Sequence, residues 1–521
     1  MWSGGGDNVG GDDARGAARA GRRRLPSLPP SQIWPEEGGG RPAAATTAWS
    51  GGDDDDSGSG DDGGGSGSPP LPSQIRPGEG GGGEARGGGA SSDPNRASVP
   101  LVHRHGPCAP SAASGGKPSL AERLRRDRAR TNYIVTKATG GRTAATALSD
   151  AAGGGTSIPT FLGDSVNSLE YVVTLGIGTP AVQQTVLIDT GSDLSWVQCK
   201  PCGAGECYAQ KDPLFDPSSS SSYASVPCDS DACRKLAAGA YGHGCTGVSG
   251  GAAALCEYGI EYGNRATTTG VYSTETLTLK PGVVVADFGF GCGDHQHGPY
   301  EKFDGLLGLG GAPESLVSQT SSQFGGPFSY CLPPTSGGAG FLTLGAPPNS
   351  SSSTAASGLS FTPMRRLPSV PTFYIVTLTG ISVGGAPLAI PPSAFSSGMV
   401  IDSGTVITGL PATAYAALRS AFRSAMSEYR LLPPSNGGVL DTCYDFTGHA
   451  NVTVPTISLT FSGGATIDLA APAGVLVDGC LAFAGAGTDN AIGIIGNVNQ
   501  RTFEVLYDSG KGTVGFRAGA C

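Results

Sequence analysis

The chain has little of what helical and membrane-spanning proteins are built from. Aromatics make up 7% and charged residues 15% of its 521 residues. No stretch combines Ala, Glu, Lys and Leu in a sustained heptad, which excludes a coiled coil. No run of about 18 apolar residues occurs, so no transmembrane helix and no membrane partner are expected. A surplus of positive charge is missing as well. The net charge of −10 argues against general affinity for nucleic acid. The first thirty residues also lack the short apolar core of a secretory leader. What the chain has in excess is glycine, 86 residues of it together with 39 Pro, and these punctuate many short apolar runs.

Composition divides the chain. Residues 1–98 are low in complexity and repeat themselves: Trp2-Ser3-Gly4-Gly5 recurs at Trp49-Ser50-Gly51-Gly52, and Pro30-Ser31-Gln32-Ile33 at Pro72-Ser73-Gln74-Ile75. A segment so poor in apolar residues cannot offset the entropy of ordering it, so a disordered extension is expected. Residues 99–150 carry a net +6, against −5 before them and −11 after. Within them Leu120–Arg130 reads as a short basic helix, and a run of charge of this kind is ordinarily a solvated face. From about Ser168 the pattern is β: Tyr171–Leu175, Thr185–Ile188 and Phe373–Leu378 are short apolar or alternating runs between Gly, Pro, Ser and Asn. The clearest helix runs from Pro411 to Met426, with Ala, Leu and Phe recurring every three or four residues. The fold class expected is all-β, a sandwich or barrel.

Cys108 lies in the basic segment. Twelve further cysteines follow, seven clustered at Cys199, Cys202, Cys207, Cys228, Cys233, Cys245 and Cys256, and five scattered at Cys292, Cys331, Cys443, Cys480 and Cys521. Cys199-x-x-Cys202 alone would suit zinc, but no second two-cysteine knuckle or spaced His pair follows, so no metal is expected. An even count in a Gly-rich β protein fits disulfides made in an oxidising compartment. Asn349 and Asn451 stand in N-glycosylation triplets, in keeping with secretory passage.

Two segments 213 residues apart match one another. Val186-Leu187-Ile188-Asp189-Thr190-Gly191-Ser192 and Met399-Val400-Ile401-Asp402-Ser403-Gly404-Thr405 each run from an apolar strand into Asp, hydroxyl, Gly, hydroxyl. Each is followed downstream by an apolar pair and Gly, at Leu306-Leu307-Gly308 and Ile494-Ile495-Gly496. One such Asp-Thr-Gly is usually just a turn. Its doubling, with the second element doubled too, points to two related lobes that each supply one carboxylate. Two adjacent carboxylates cannot both ionise and so share a proton. One can then act as general base on a water while the other polarises a carbonyl and later protonates the leaving amine. Gly191 and Gly404 allow the tight turn that brings an N–H to the carboxylate. The hydroxyls of Thr190, Ser192, Ser403 and Thr405 are expected to orient the carboxylates by hydrogen bonds.

From about Ser98 onward the chain resembles the plant pepsin-like (A1 family) aspartic proteases of the nepenthesin-like group. The carriers are Gly176-Ile177-Gly178-Thr179-Pro180, the run Ile188–Cys199, Phe303–Gly310, Phe328-Ser329-Tyr330-Cys331-Leu332, Val400–Thr405 and Ile494-Ile495-Gly496-Asn497. The resemblance implies a bilobal fold of two pseudo-symmetric β-barrel lobes with the active site in the cleft between them. It implies lobes at 168–360, with a Cys-rich insertion at Cys199–Cys256, and at 361–521, preceded by a basic propeptide at 99–160. Asp189 and Asp402 are then the catalytic pair, Tyr262 the tyrosine of a flap that closes over substrate, and Trp196 its hydrogen-bond partner. Leu101–Cys108 resembles a propeptide motif of the group, and Cys443 with Cys480 a disulfide of the second lobe. The chain departs from the family's Asp-Gly-Ser after Tyr262-Gly263, having Asn264-Arg265-Ala266, and losing that Gly restricts the hairpin.

Together these readings imply an aspartic endopeptidase made as a zymogen, acting on polypeptides at acid pH without a cofactor. A monomer in the apoplast or vacuole is expected, with a plastid as the third option. The rival is a protease-shaped binding or inhibitor protein of weak or no activity. Other chemistry is poorly supported. Gly176-x-Gly178 lacks the third Gly and the helix of a nucleotide loop, no strand–helix G-x-S-x-G stands in the globular part, and His295 and His297 beside Cys292 have no further ligands in reach.

Overall fold

The computed structural model describes residues 119–139, 155–162 and 168–521, with short breaks at 240, 248–252, 336–337, 339, 346–357 and 435–437. The repetitive segment 1–98, the Leu101–Cys108 motif and Asn349 lie outside the described residues.

The elements that bear on the cleft are a helix, α1 (Leu120–Thr139), and then the strands β1 (Tyr171–Ile177), β2 (Val182–Asp189), β3 (Trp196–Gln198), β4 (Cys256–Glu261), β5 (Thr267–Lys280), β6 (Val283–His297), β7 (Gly305–Gly308) and β8 (Phe328–Cys331). The second half adds β9 (Val370–Val376), β10 (Met399–Ile401), β11 (Thr408–Leu410), the helix α2 (Ala412–Ala425), β12 (Gly493–Ile495), β13 (Glu504–Asp508) and β14 (Thr513–Arg517). The fold is all-β with a few helices. Helix α2 is the one read from the Pro411–Met426 pattern: Pro411 caps it with an extended backbone, and Ala414, Tyr415, Leu418 and Phe422 make its buried stripe.

The doubled motif is a doubled piece of sheet. In the first half β2 runs parallel to β7, with Leu307 opposite Ile188 and Gly308 opposite Asp189, and β7 is antiparallel to β3. In the second half β10 runs parallel to β12, with Ile494 opposite Val400 and Ile495 opposite Ile401, and β12 is antiparallel to β11. Each Asp therefore stands at the end of a strand buried on both faces, which explains why its apolar run is continuous rather than alternating. A six-stranded sheet in the order Thr156–Ile158, Phe341–Leu344, β8, β13, β14, Ser360–Pro363 joins the halves. Its composition bears on two expected boundaries: residues 156–158, inside the expected propeptide, are a strand of this sheet, and the lobe boundary at 360/361 falls within Ser360–Pro363.

All twelve cysteines from Cys199 onward are paired: Cys199–Cys292, Cys202–Cys207, Cys228–Cys245, Cys233–Cys256, Cys331–Cys521 and Cys443–Cys480. Asn451 is exposed. His295 stands on β6 and is bonded to Asp294.

The basic stretch behaves differently from a solvated face. Helix α1 is 20 residues long, and Leu124, Asp127, Ile134 and Ala138, spaced by about one or two helical turns, are buried. Leu124 packs with Val406, Ile407 and Leu440, while Ile134 and Ala138 pack with Phe373, Val400 and Ile494. The charges dominate its composition, but three or four apolar residues on one face suffice to dock it.

Candidate active site

Asp189 and Asp402 are brought together and buried, 1% and 0% exposed. Their loops hold them by the same bonds. Gly191 N–H donates to Asp189 Oδ1 at 2.9 Å and Ser192 Oγ to its Oδ2 at 2.6 Å. Gly404 N–H donates to Asp402 Oδ1 at 3.0 Å and Thr405 Oγ1 to its Oδ2 at 2.5 Å. The glycines are demanded by proximity rather than by a positive φ, which neither adopts. A Cβ on Gly191 would lie 2.8 Å from Asp402 Oδ1, and one on Gly404 2.5 Å from Asp189 Oδ1.

Only two of the four hydroxyls do what the sequence led us to expect. Ser192 and Thr405 reach the carboxylates, whereas Thr190 and Ser403 cross-link the loops. Thr190 N–H donates to Ser403 Oγ at 3.1 Å and Ser403 N–H to Thr190 Oγ1 at 2.9 Å. Their hydroxyls in turn donate to Ile401 O and Ile188 O of the opposite strand. The first hydroxyl of each motif follows the Asp directly, so it points across the pseudo-twofold axis, and the second, two residues on, curls back to its own carboxylate.

Trp196 and Tyr262 are brought together above this pair, with Trp196 Nε1 donating to the Tyr262 hydroxyl at 2.7 Å. Tyr262 begins the turn between β4 and β5, closed by bonds from Tyr262 N–H to Ala266 O and from Arg265 N–H to Tyr262 O. Arg265 takes φ +67° there, the left-handed conformation that the missing glycine would adopt without strain. Burial raises the Tyr262 hydroxyl well above its usual range.

The residue that the sequence did not single out is Arg130. Its guanidinium lies between the two carboxylates: Nη2 donates to Asp189 Oδ1 and, at 3.2 Å, to Asp402 Oδ1, while Nε donates to Asp402 Oδ2 at 3.1 Å. Three residues earlier on α1, the Asp127 carboxylate accepts Val406 N–H at 2.5 Å and Ile407 N–H at 2.9 Å. One turn before Arg130, Arg126 Nη1 donates to Glu301 Oε1 at 2.7 Å. The turn of the β4–β5 hairpin rests on the same helix, since a Cβ on Gly263 would meet Arg130 Cα at 2.6 Å. The space left between α1 and the cleft wall is a cavity of about 60 Å³. The available signal was the spacing of Leu124, Asp127, Ile134 and Ala138, which sets Asp127 and Arg130 on the docking side.

These contacts polarise the acids unequally. Burial pushes Asp189 up to about 6 in spite of Arg130, with the Asp402 charge adding to the rise. Burial works on Asp402 in the same sense, but the Arg130 charge and the bonds from Arg130, Thr405 and Gly404 hold it below the usual carboxylate range. Burial also lifts Asp127 to about 7, against the two N–H groups it accepts.

Most of the chain is similar to known plant proteins. The family model for the N-terminal domain of xylanase inhibitors matches residues 171–346, and that for their C-terminal domain matches residues 373–518. An aspartyl protease family protein of Arabidopsis thaliana is 41% identical over 436 residues, which cover 82% of this chain and 88% of that protein. This chain belongs to the plant A1 family of aspartic proteases. The aspartic proteinase nepenthesin-1 of Nepenthes gracilis is similar to this family member at 34% identity, over 68% of this chain and 78% of its own. Among solved structures, basic 7S globulin from soybean shares the fold, with a TM-score of 0.55 and 20% identity over 70% of this chain and 95% of its own.

Proposed function

We propose that this family member is an aspartic endopeptidase held latent by α1 and active at acid pH once that helix has left the cleft. The observation that carries the reading is the pair of complete Asp-hydroxyl-Gly loops, with both carboxylates reached by one guanidinium. In the freed cleft Asp189 and Asp402 would share a proton and hold one water between them. The ionised carboxylate takes a proton from that water as its oxygen attacks the peptide carbonyl carbon. The protonated one donates to the carbonyl oxygen, giving a tetrahedral diol, and collapse of the diol breaks the C–N bond as a diol hydroxyl returns its proton to the dyad and the dyad protonates the amine. Tyr262, held by Trp196, would close over the substrate and keep water out.

Latency follows from what α1 covers. Arg130 stands where the water would be, Asp127 occupies two N–H groups at the cleft floor, and the hairpin is closed on the helix rather than on substrate. Helix α1 is therefore read as part of a propeptide. Six disulfides and the exposed triplet at Asn451 support passage through an oxidising, secretory compartment, and the substrates are polypeptides taken by a monomer. The rival, a binding protein of inhibitor type, draws on the description of the matching family models. It is weakened by the completeness of both loops, because an unreactive binder has no need of either carboxylate.

The deciding experiment is hydrolysis of acid-denatured haemoglobin by the full chain and by its Asp189→Asn and Asp402→Asn variants. Cleavage below about pH 4, blocked by pepstatin and absent from both variants, is the expected result. Cleavage that persists in both and resists pepstatin would overturn the assignment, and no cleavage by the wild type would favour the binding protein.

A further inference from the structure

Beside the dyad, on the wall formed by the first half, is a slot with an acidic lining that the catalytic reading does not use. Glu301 is the fourth residue before β7, and its carboxylate faces α1 with its side chain 12% exposed. Glu170, the residue before β1, lines the same cavity, as do Leu169, Tyr300 and Phe303. The slot is built rather than incidental. Tyr300 stacks on Tyr208 of the Cys-rich insertion at a ring separation of 4.6 Å and meets Trp196 edge-on at 5.8 Å. Tyr208 is itself fixed by donating its hydroxyl to Phe303 O at 2.8 Å. The Tyr300 hydroxyl is buried and has no hydrogen-bond partner. The slot is also occupied: the Arg126 guanidinium, 17% exposed, fills it and bonds to Glu301.

We infer that this slot is a substrate subsite selective for a basic side chain, with Glu301 as its specificity-determining residue and Glu170 as a secondary one. The inference rests on the peptidase reading, because Arg126 is taken to sit where a substrate side chain sits after α1 leaves. The chemistry favours a cation. Two carboxylates face one small space, so an uncharged occupant leaves them to repel each other, and a lysine or arginine relieves that repulsion while forming a charge-assisted bond. The aromatic walls accommodate the methylene stem of such a side chain. Arg126 is one helical turn from Arg130, about 6 Å along the axis, a distance that an extended peptide covers in about two residues. The basic residue is thus expected within two or three positions of the bond cut.

The test uses the full chain after self-processing, assayed at stepped pH up to the limit of its activity, because burial and the Glu170 charge raise Glu301 to about 7 and its ionised fraction grows as pH rises. Peptides carry lysine or its neutral counterpart norleucine at successive positions on either side of the bond cut. At one position the wild type should favour lysine in kcat/KM by a ratio that rises with pH towards about tenfold, the scale of one charge-assisted hydrogen bond. Glu301→Gln should remove most of that ratio, and Glu301→Lys should turn the preference towards norleucine. A wild-type ratio near unity at every position overturns the inference, and so does a Glu301→Gln variant that loses both peptides equally. Cleavage without a charge preference would sink this inference alone. A wild type that cuts no peptide would sink the peptidase reading, and this one with it.

Discussion

A guanidinium buried between two carboxylates is held by both, and each carboxylate in turn needs the guanidinium to offset its loss of water. Removing the cation therefore costs more than a surface ion pair would, on the order of 3–5 kcal/mol, because Asp402 is left buried and charged. We expect Arg130→Gln in the full chain to free α1 and to abolish the lag before peptide cleavage, read from progress curves of the unprocessed protein. A lag equal to that of the wild type would count against the helix as the latch. Arg265 offers a test of a different kind. It is exposed and holds φ +67°, so Arg265→Gly should raise stability by about 1 kcal/mol, seen as a higher Tm. The motif showed that a turn follows Tyr262. It could not show that an arginine would take on the glycine's conformation there, because the strain is tolerated only through the bonds that close the hairpin.

Among the elements, α1 carries the pH response on the proposed reading. Asp402 is held below the usual range while α1 is docked, so its contribution to docking is present above the unperturbed value, about 3.9, and is lost as pH falls through its lowered one. Asp127 and Asp189 have the opposite sign: raised to about 7 and about 6 in the docked state, their contribution is fully present at low pH and fades as pH rises through those values. Acid release must therefore come from Asp402. The helix should stay docked near pH 5–6 and leave only below about pH 4, which limited proteolysis at stepped pH would follow. Release already complete near pH 6 would contradict this assignment of signs. Helix α1 also marks the limit of reading charge from sequence. Residues 120–130 read as a basic, solvated helix, but the apolar positions that dock it are few and extend beyond the charged run to Ile134 and Ala138.

Over the whole molecule, the two halves are joined at the dyad by four hydrogen bonds between Thr190, Ser403 and the opposing strands. Thr190→Val keeps the shape and removes the hydroxyl, so it should cost about 1–3 kcal/mol by leaving buried donors and acceptors unpaired, measured by denaturant unfolding. The pairing of Cys331 with Cys521 spans 190 residues and ties the last residue to β8. Cys521→Ala, with Cys331 also replaced to leave no free thiol, should lower stability by about 2–4 kcal/mol, while the acid-processed enzyme keeps its cleavage specificity. Neither cost could be assigned before the fold was known, because each depends on residues brought together from opposite ends of the chain.

The amino-acid order by itself determined the strand character, the doubled Asp-hydroxyl-Gly element and hence the pairing of two carboxylates, since these are local patterns and a local pattern repeated is a symmetry written along the chain. It also contained the cysteine count and, through the family resemblance, the pair Cys443–Cys480, but not the other partners, which are set by distance in space. The tertiary structure alone decided which hydroxyls hold the acids and which join the halves, because that depends on which side of the pseudo-twofold axis a side chain leaves its turn. It alone put Arg130 between Asp189 and Asp402 and Arg126 against Glu301. Those pairings are electrostatic complements across 59 to 272 residues of sequence, and only the closing of the cleft around α1 brings them within bonding distance.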